Sequence, residues 1–539
     1  ALKGAYTPPD HKLVLAQVFG LAQEGKKCLL DANTALRKAG IKPAMAGDIW
    51  SDRGVSLLGL CEYFMTDTWE IKQMVLAATP FTERHTGVAI DRKTRDACIE
   101  AGLSSDVFST VFFPVSDNAS NMKNGWASFG RGPCCVHSVQ LSVHVYLNHP
   151  RIIEMRAKEH GIVAHFSHST GIDGLGALQS CQRECNLPVH HPVKDVNTRW
   201  SSGHDQMEWF RVQQRAIQLY DINHARKAGE AYRTHQMGVE DWRLSMESVA
   251  VLQPLADWTQ HMQGTKYPTL PLVLPTLYGL IRGMAPDAPL VLKFPETPTI
   301  SYDPEDIHPE VLAARTRLYN DMVERWITEL DHEVKRTYAI ATMLHPCFKS
   351  YDFIEDFDLI PASDKSWALR EQRAEWLTVW KPRPAPVLDL GTTPASSSSA
   401  TSFVTTESIE VGSKELADAK GTEVNPLLKK RKVSLGSLLG PRVKKAAPQL
   451  AALEFDELDE YLADPEEPDL DIDVLVWWRA KEYQWPALAK MVKQYFSAPA
   501  SSAGVERIFS AAGKMHGDLQ KSAKDSTLEN SLFAAFNTD

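Results

Sequence analysis

The chain has 539 residues, with 58 Lys and Arg against 68 Asp and Glu, a net charge of −10 and 43 % hydrophobic residues. That length accommodates two or three domains, and no apolar run reaches the roughly 18 residues of a membrane span. The first residues, Ala-Leu-Lys-Gly-Ala-Tyr, lack the charged and apolar regions of a secretory leader and read as a trimmed fragment. Eight scattered cysteines are too few for a disulfide framework and point to a reducing compartment.

In chain order, residues 1–40 form a helical lead-in, with Leu13, Leu15, Val18, Leu21 and Leu29 at helical spacing before Gly40. Residues 41–150 change character. Ala44–Trp50, Val55–Met65 and Trp69–Ala78 are predicted strands, Thr86–Ala101 a helix, Ser109–Val115 a buried strand, and about 135–147 a helix. Three strands, a helix, a strand and a helix are the opening order of an RNase H-like mixed sheet. Residues 151–381 carry helical periodicity broken by a loop rich in Pro at 268, 271, 275, 286 and 289. The fold class is therefore α/β, an RNase H-like mixed sheet interrupted by a large all-α insertion.

Residues 382–473 read as a disordered linker, because their composition buries too little apolar area to offset ordering entropy. Two basic clusters lie in it, Lys429, Lys430, Arg431 and Lys432, then Arg442, Lys444 and Lys445. Their spacing is that of a bipartite nuclear localisation signal, and the expected location is the nucleus. Between Glu454 and Asp473 come 11 acidic residues and no Lys or Arg, read as a solubilising spacer. Without that block the chain is nearly neutral, so bulk charge neither supports nor opposes a nucleic-acid partner. Residues 474–539 return to amphipathic helices, the last of which contains Glu506, and the paired Trp477 and Trp478 read as a packing surface.

Three carboxylates have the setting of a metal site. Asp48 lies in a strand, Asp117 just past one, and Glu506 opens a helix after Ser501-Ser502. Hard divalent cations prefer carboxylate oxygens, and a metal pair stabilises both the attacking and the leaving oxygen at a phosphodiester. Among 68 acidic residues, spacing alone equally describes solvated carboxylates and helix caps.

The surrounding motifs resemble those of hAT-superfamily transposases. Gly47-Asp48-Ile-Trp50-Ser51 with His85-Thr86-Gly87 is similar to the first catalytic block, and Ser116-Asp117-Asn118-Ala119-Ser120-Asn121-Met122 to the second. Cys134-Cys135-Val-His137 resembles the Cys-x-x-His segment, Arg199-Trp200 the Arg-Trp motif, and Leu344-His345-Pro346 a segment late in the insertion. Trp477-Trp478, Trp485-Pro486-Ala487-Leu488 and Pro499 through Gly513 resemble the C-terminal dimerisation region.

The resemblance implies that Asp48, Asp117 and Glu506 are catalytic and bind Mg²⁺ or Mn²⁺. The implied reaction cuts DNA through a hairpin and joins the 3′-OH to target DNA. Trp200 is implied to stack on a displaced base, Arg199 to act at the DNA interface, and Cys134 and His137 to position the active site or the DNA. The implied partners are double-stranded DNA, at transposon ends and target, and further copies of the chain as a homodimer or larger assembly; no membrane is involved. The family's usual N-terminal BED-type zinc finger has no counterpart in this sequence. A second reading is a domesticated, non-catalytic DNA- or chromatin-associated factor, and a third a generic nuclease of the same fold. The presence of all three carboxylates favours the enzyme over the second, and the C-terminal block and long insertion disfavour the third.

Overall fold

The computed structural model describes residues 10–382, 438, 456–515 and 525–538, apart from 53–54, 105, 107–109, 170, 172, 197–199, 295–297, 356 and 467. Among the described residues the fold is mixed α/β and 65 % helical. Strands β1 (Ala44–Asp52), β2 (Val55–Met65), β3 (Ile71–Pro80), β4 (Phe112–Ser116) and β5 (Gly132–Pro133) form one sheet in the order β3-β2-β1-β4-β5. The first three are antiparallel neighbours, and β4 then adds parallel to β1. This is the mixed sheet expected from the element order.

Side chains alternate across β1 with the period of two that a pleated strand imposes. Met45 packs on one face with Leu58, Leu60, Ile90 and Trp126. Ala44 and Ala46 face the other side, with Tyr63, Val115 and the C-terminal helices. Helix α1 (His11–Ala39), capped by Gly40 in the left-handed region, and α2 (Gly87–Glu100) cover the first face. Helices α3 (Ser120–Gly125) and α4 (Cys135–Leu147) follow β4 and β5.

The chain then leaves the sheet for α5 (Pro150–His168), α6 (Leu175–Glu184), α7 (Trp200–Ala228), α8 (Glu230–Arg233), α9 (Val239–Met262) and α10 (Val273–Met284). A short hairpin, β6 (Leu290–Leu292) with β7 (Ile300–Tyr302), precedes α11 (Pro309–Val323), α12 (His332–Met343) and α13 (Ser363–Glu375).

The reading of 382–473 as disordered throughout is corrected at its acidic end. Residues 457–463 form helix α14 (Glu457–Ala463), with Asp456 and Asp459 closing a capping box. Arg373 donates to Asp456 at 2.8 Å and to Asp459 at 3.1 Å. Three indole N–H groups donate to carboxylates of the same segment: Trp376 to Asp456 at 3.0 Å, Trp485 to Glu460 at 3.1 Å and Trp477 to Glu466 at 2.9 Å. The buried Lys349 ammonium donates to the Tyr461, Asp464 and Glu466 carbonyls. The block is a docked clasp rather than a solvated spacer, because its acids find cations and indoles far away in sequence. The two basic clusters at 429–432 and 442–445 lie outside the described residues.

Helices α15 (Val474–Lys481), α16 (Pro486–Ser497), α17 (Ala503–Met515) and α18 (Asp525–Asn537) complete the fold. The expected Trp477–Trp478 packing surface is present: both rings are buried, gathered with Trp485 around Tyr461. Helix α18 packs along α1 and the sheet edge. There the Asn537 side chain accepts from the Val75 N–H at 2.6 Å and donates to the Val75 carbonyl at 2.8 Å. It thereby satisfies an edge-strand backbone pair that would otherwise be buried without partners.

Candidate active site

Strand register brings the first two carboxylates together. Gly47 of β1 pairs with Ser116 at the end of β4, so Asp48, midway along β1, and Asp117, just past β4, stand on neighbouring parallel strands. Ligand sites of such sheets form beyond the carboxyl ends of the strands. On its other side Asp48 pairs with Gly59 of β2. A Cβ at Gly59 would lie 2.7 Å from Phe509 and Val505 of α17, and only the missing side chain lets that helix lie against the strands beside Asp48. Gly504 of the same helix approaches as closely, its Cα facing the Tyr63 hydroxyl. Trp50 stacks on Phe509 with centroids 6.2 Å apart. Glu506 sits in the first turn of α17, where the helix dipole favours a carboxylate.

All three carboxylates are half-buried. Burial, then the charges of Asp117 and Glu506, push Asp48 up to about 7 against the opposing pull of His137. His137 Nε2 stands 3.5 Å from Glu506 Oε1. Burial alone would lower the imidazole, but the Cys134 sulfur, Asp48 and Glu506 carry it up to about 10. The Cys134 thiol is held below its ordinary value in spite of burial, by hydrogen bonding and charge from His137.

Cys134 is 1 % exposed, and its sulfur accepts the Ser502 backbone N–H at 3.3 Å. The sulfur is covered by protein and supports His137 and the turn leading to Glu506. The first turn of α4 is fastened on the same side, with the Cys134 N–H donating to the Ser116 carbonyl at 2.8 Å and the Cys135 N–H to the Ala500 carbonyl at 3.0 Å.

Arg131, which the sequence reading did not single out, organises the second block. Its guanidinium donates to Ser116 Oγ at 2.7 Å, the Asp117 carbonyl at 2.6 Å and Asn118 Oδ1 at 2.8 Å. Asn118 in turn donates to Ser138 of α4 at 2.9 Å. The Asp117 carboxylate accepts the Ala119 N–H at 3.3 Å, a local turn that aims it out of the strand. The signal available in the sequence was Arg131 lying between two glycines just before Cys134, which carries no chemistry until the fold closes.

Trp200 opens α7 and is 4 % exposed, edge-on to His204 at 6.5 Å. Its ring is covered as it stands, which is the packing of a core aromatic. Arg199 lies outside the described residues.

Among the described residues no three His, Cys, Asp or Glu side chains are gathered closely enough to ligate a metal ion as they stand. The chemistry of Asp48, Asp117 and Glu506 nevertheless fits a hard divalent cation: burial raises Asp48 first and the charges of Asp117 and Glu506 raise it further, and this oxygen donor set is one a cation would relieve. No described helix is long and apolar enough to cross a membrane.

Residues 457–538 match the hAT family C-terminal dimerisation region. The chain is similar to the human zinc finger BED domain-containing protein 6, at 25 % identity over 79 % of this chain and 40 % of that protein. It is 20 % identical to "Putative transcriptional regulator tpeD" of Talaromyces stipitatus, over 94 % of this chain and 54 % of that protein. Human zinc finger BED domain-containing protein 4 is 23 % identical over 74 % of this chain and 28 % of its own length. The chain thus spans from about a quarter to about half of the relatives it matches. The matched region, the hAT family C-terminal dimerisation region, contains α17 and α18, which carry Glu506 to the sheet and close its edge.

Proposed function

We propose that the chain is a metal-dependent DNA-cleaving and strand-joining enzyme of the cut-and-paste transposase type. The observation that carries this reading is the convergence of Asp48, Asp117 and Glu506 from two parallel strands and one facing helix, with Asp48 pushed up to about 7 by burial and then by the charges of Asp117 and Glu506. Asp48, Asp117 and Glu506 would hold Mg²⁺ or Mn²⁺. Bound there, the ions supply charge stabilisation at the attacking and leaving oxygens of a phosphodiester.

The chain's own residues do the rest. Arg131 holds the Asp117 turn through three acceptors, and His137, charged by its neighbours, anchors Glu506. Gly59 and Gly504 let α17 close on the sheet. The product chemistry implied by the family is hairpin formation on the flanking DNA and transfer of the 3′-OH to target DNA, with the Trp200 ring released from its packing to meet a base. Self-association through the C-terminal region and nuclear location through the basic clusters belong to the same reading.

The test is incubation with Mn²⁺, a duplex bearing a free 3′-OH and supercoiled plasmid. The expected result is nicked and joined plasmid from the parent, and loss of both with Glu506→Gln. Activity surviving in the variant would overturn the assignment of Glu506. A second reading, a DNA-associated regulator without catalysis, is favoured by the names of the relatives, BED zinc-finger proteins and a transcriptional regulator. It is supported if the folded parent binds DNA yet neither nicks nor joins it.

A further inference from the structure

One loop of the insertion, residues 263–269 between α9 and the turn at Leu270–Leu272, reaches the segment that carries Glu506. Three bonds tie this loop and the end of α9 to that turn and helix. Ser501 Oγ donates to the Met262 carbonyl at 3.0 Å, the Ala500 N–H donates to Thr269 Oγ1 at 3.0 Å, and the Arg507 guanidinium donates to the Gln263 carbonyl. Arg507 follows Glu506 in the first two turns of α17, so the loop stands beside the helix end that carries Glu506.

The loop is rigid for reasons written in its own residues. The Tyr267 hydroxyl donates to the His261 carbonyl at 2.6 Å, and its ring lies 4.9 Å from the His261 ring at 30°. A Cβ at Gly264 would lie 2.3 Å from the Tyr267 ring, so glycine there lets the ring fold back across the loop. Pro268, Thr269 and Leu270 are buried behind it. Two side chains of the loop are left facing outward, Lys266 and Tyr267, the latter 37 % exposed.

A cation and a fixed, half-open aromatic ring at the edge of a carboxylate cluster form a contact for a nucleic-acid strand. The ammonium meets a phosphate, and the ring face meets an unstacked base without regard to its identity. We propose that Lys266 and Tyr267 bind the DNA strand entering the Glu506 side of the site, Lys266 at a phosphate and Tyr267 by stacking on a base freed from the duplex. The proposal rests on the nuclease reading of the carboxylates. It adds, to the role proposed for Trp200, a second contact from the insertion, supplied by residues that hold no metal.

The test uses the full chain and a forked duplex with 2-aminopurine at the first unpaired position, its affinity measured across a salt series. Lys266→Gln is expected to lower the slope of log affinity against log salt by about one. Tyr267→Leu is expected to weaken fork binding about tenfold and to abolish the quenching of 2-aminopurine. Tyr267→Phe, which keeps the ring and loses only the His261 bond, is expected to bind and quench as the parent does. Melting curves matching the parent's establish that each variant is folded. Variants that bind, quench and respond to salt like the parent would overturn the proposal and leave the carboxylate assignment standing. A parent that binds no forked DNA at all would overturn both.

Discussion

The seating of α17 on the sheet can be tested at Gly504. A Cβ there would stand 1.9 Å from the Tyr63 hydroxyl oxygen and 2.8 Å from Gln73 Oε1. Ordinary carbon contacts begin near 3.5 Å, so one partner has to move by roughly 1.5 Å. Tyr63 is 2 % exposed and enclosed by the core, and the part with room to move is the helix carrying Glu506. Over-packing of this kind costs about 1–3 kcal/mol, while replacing glycine by alanine inside a helix returns about 1 kcal/mol. Gly504→Ala is therefore expected to lower stability by no more than about 2 kcal/mol.

Its effect on chemistry is expected to be far larger, about 100-fold, because a shift of about 1 Å at a reacting group costs that much. Tyr63→Phe removes the oxygen that the new methyl meets. In the double variant the helix reseats and most of the lost rate returns. The assay is Mn²⁺-dependent plasmid nicking and joining for parent, both single variants and the double. Denaturant midpoints supply a parallel cycle that needs no activity, with an expected coupling of about 1 kcal/mol. Gly504→Ala matching the parent in both rate and stability would refute the packing argument, and so would a loss that Tyr63→Phe leaves unrelieved.

Further expectations follow from other parts of the fold. Asn537→Ala removes both bonds to the Val75 backbone and leaves a buried pair unsatisfied. A loss of about 2–4 kcal/mol in a denaturant titration is expected, and a change below half a kcal/mol would rule this role out. Burial pushes Glu62 from 4.5 up to about 8, with Asn33 opposing. The folded state then holds a proton that the unfolded state has lost, so this contribution is complete below pH 4.5 and is lost as pH rises towards 8. Glu62→Gln is expected to flatten the fall of the melting temperature over that window, and an unchanged slope would count against it. Arg373→Glu sets a like charge against Asp456 and Asp459, and faster protease cleavage near residue 456 is expected. Cleavage at the parent's rate would mean the clasp does not depend on this pair.

The local chemistry of the chain determined much of the fold. Strand and helix periods placed the elements of the sheet close to where they are found, because β1, β2, β3 and α4 are built from apolar residues whose pattern no distant partner needs to complete. The contexts of Asp48, Asp117 and Glu506 marked them in the sequence; in the fold Asp117 and Glu506 lie close enough to act on Asp48, and Asp48 and Glu506 act on His137. Tertiary structure decided the rest. The acidic stretch from 456 to 466 carries only a capping box of its own, and the cations and indoles that dock it lie at Lys349, Arg373, Trp376, Lys481 and Trp485. Arg131, Gly59 and Gly504 are chemically plain in sequence and gain their roles from register and close approach. The burial of Cys134 and Trp200 likewise depends on which surfaces meet. Pattern along a chain reports each segment's own preference, whereas the pairing of charges and the space left for a side chain are properties of segments hundreds of residues apart.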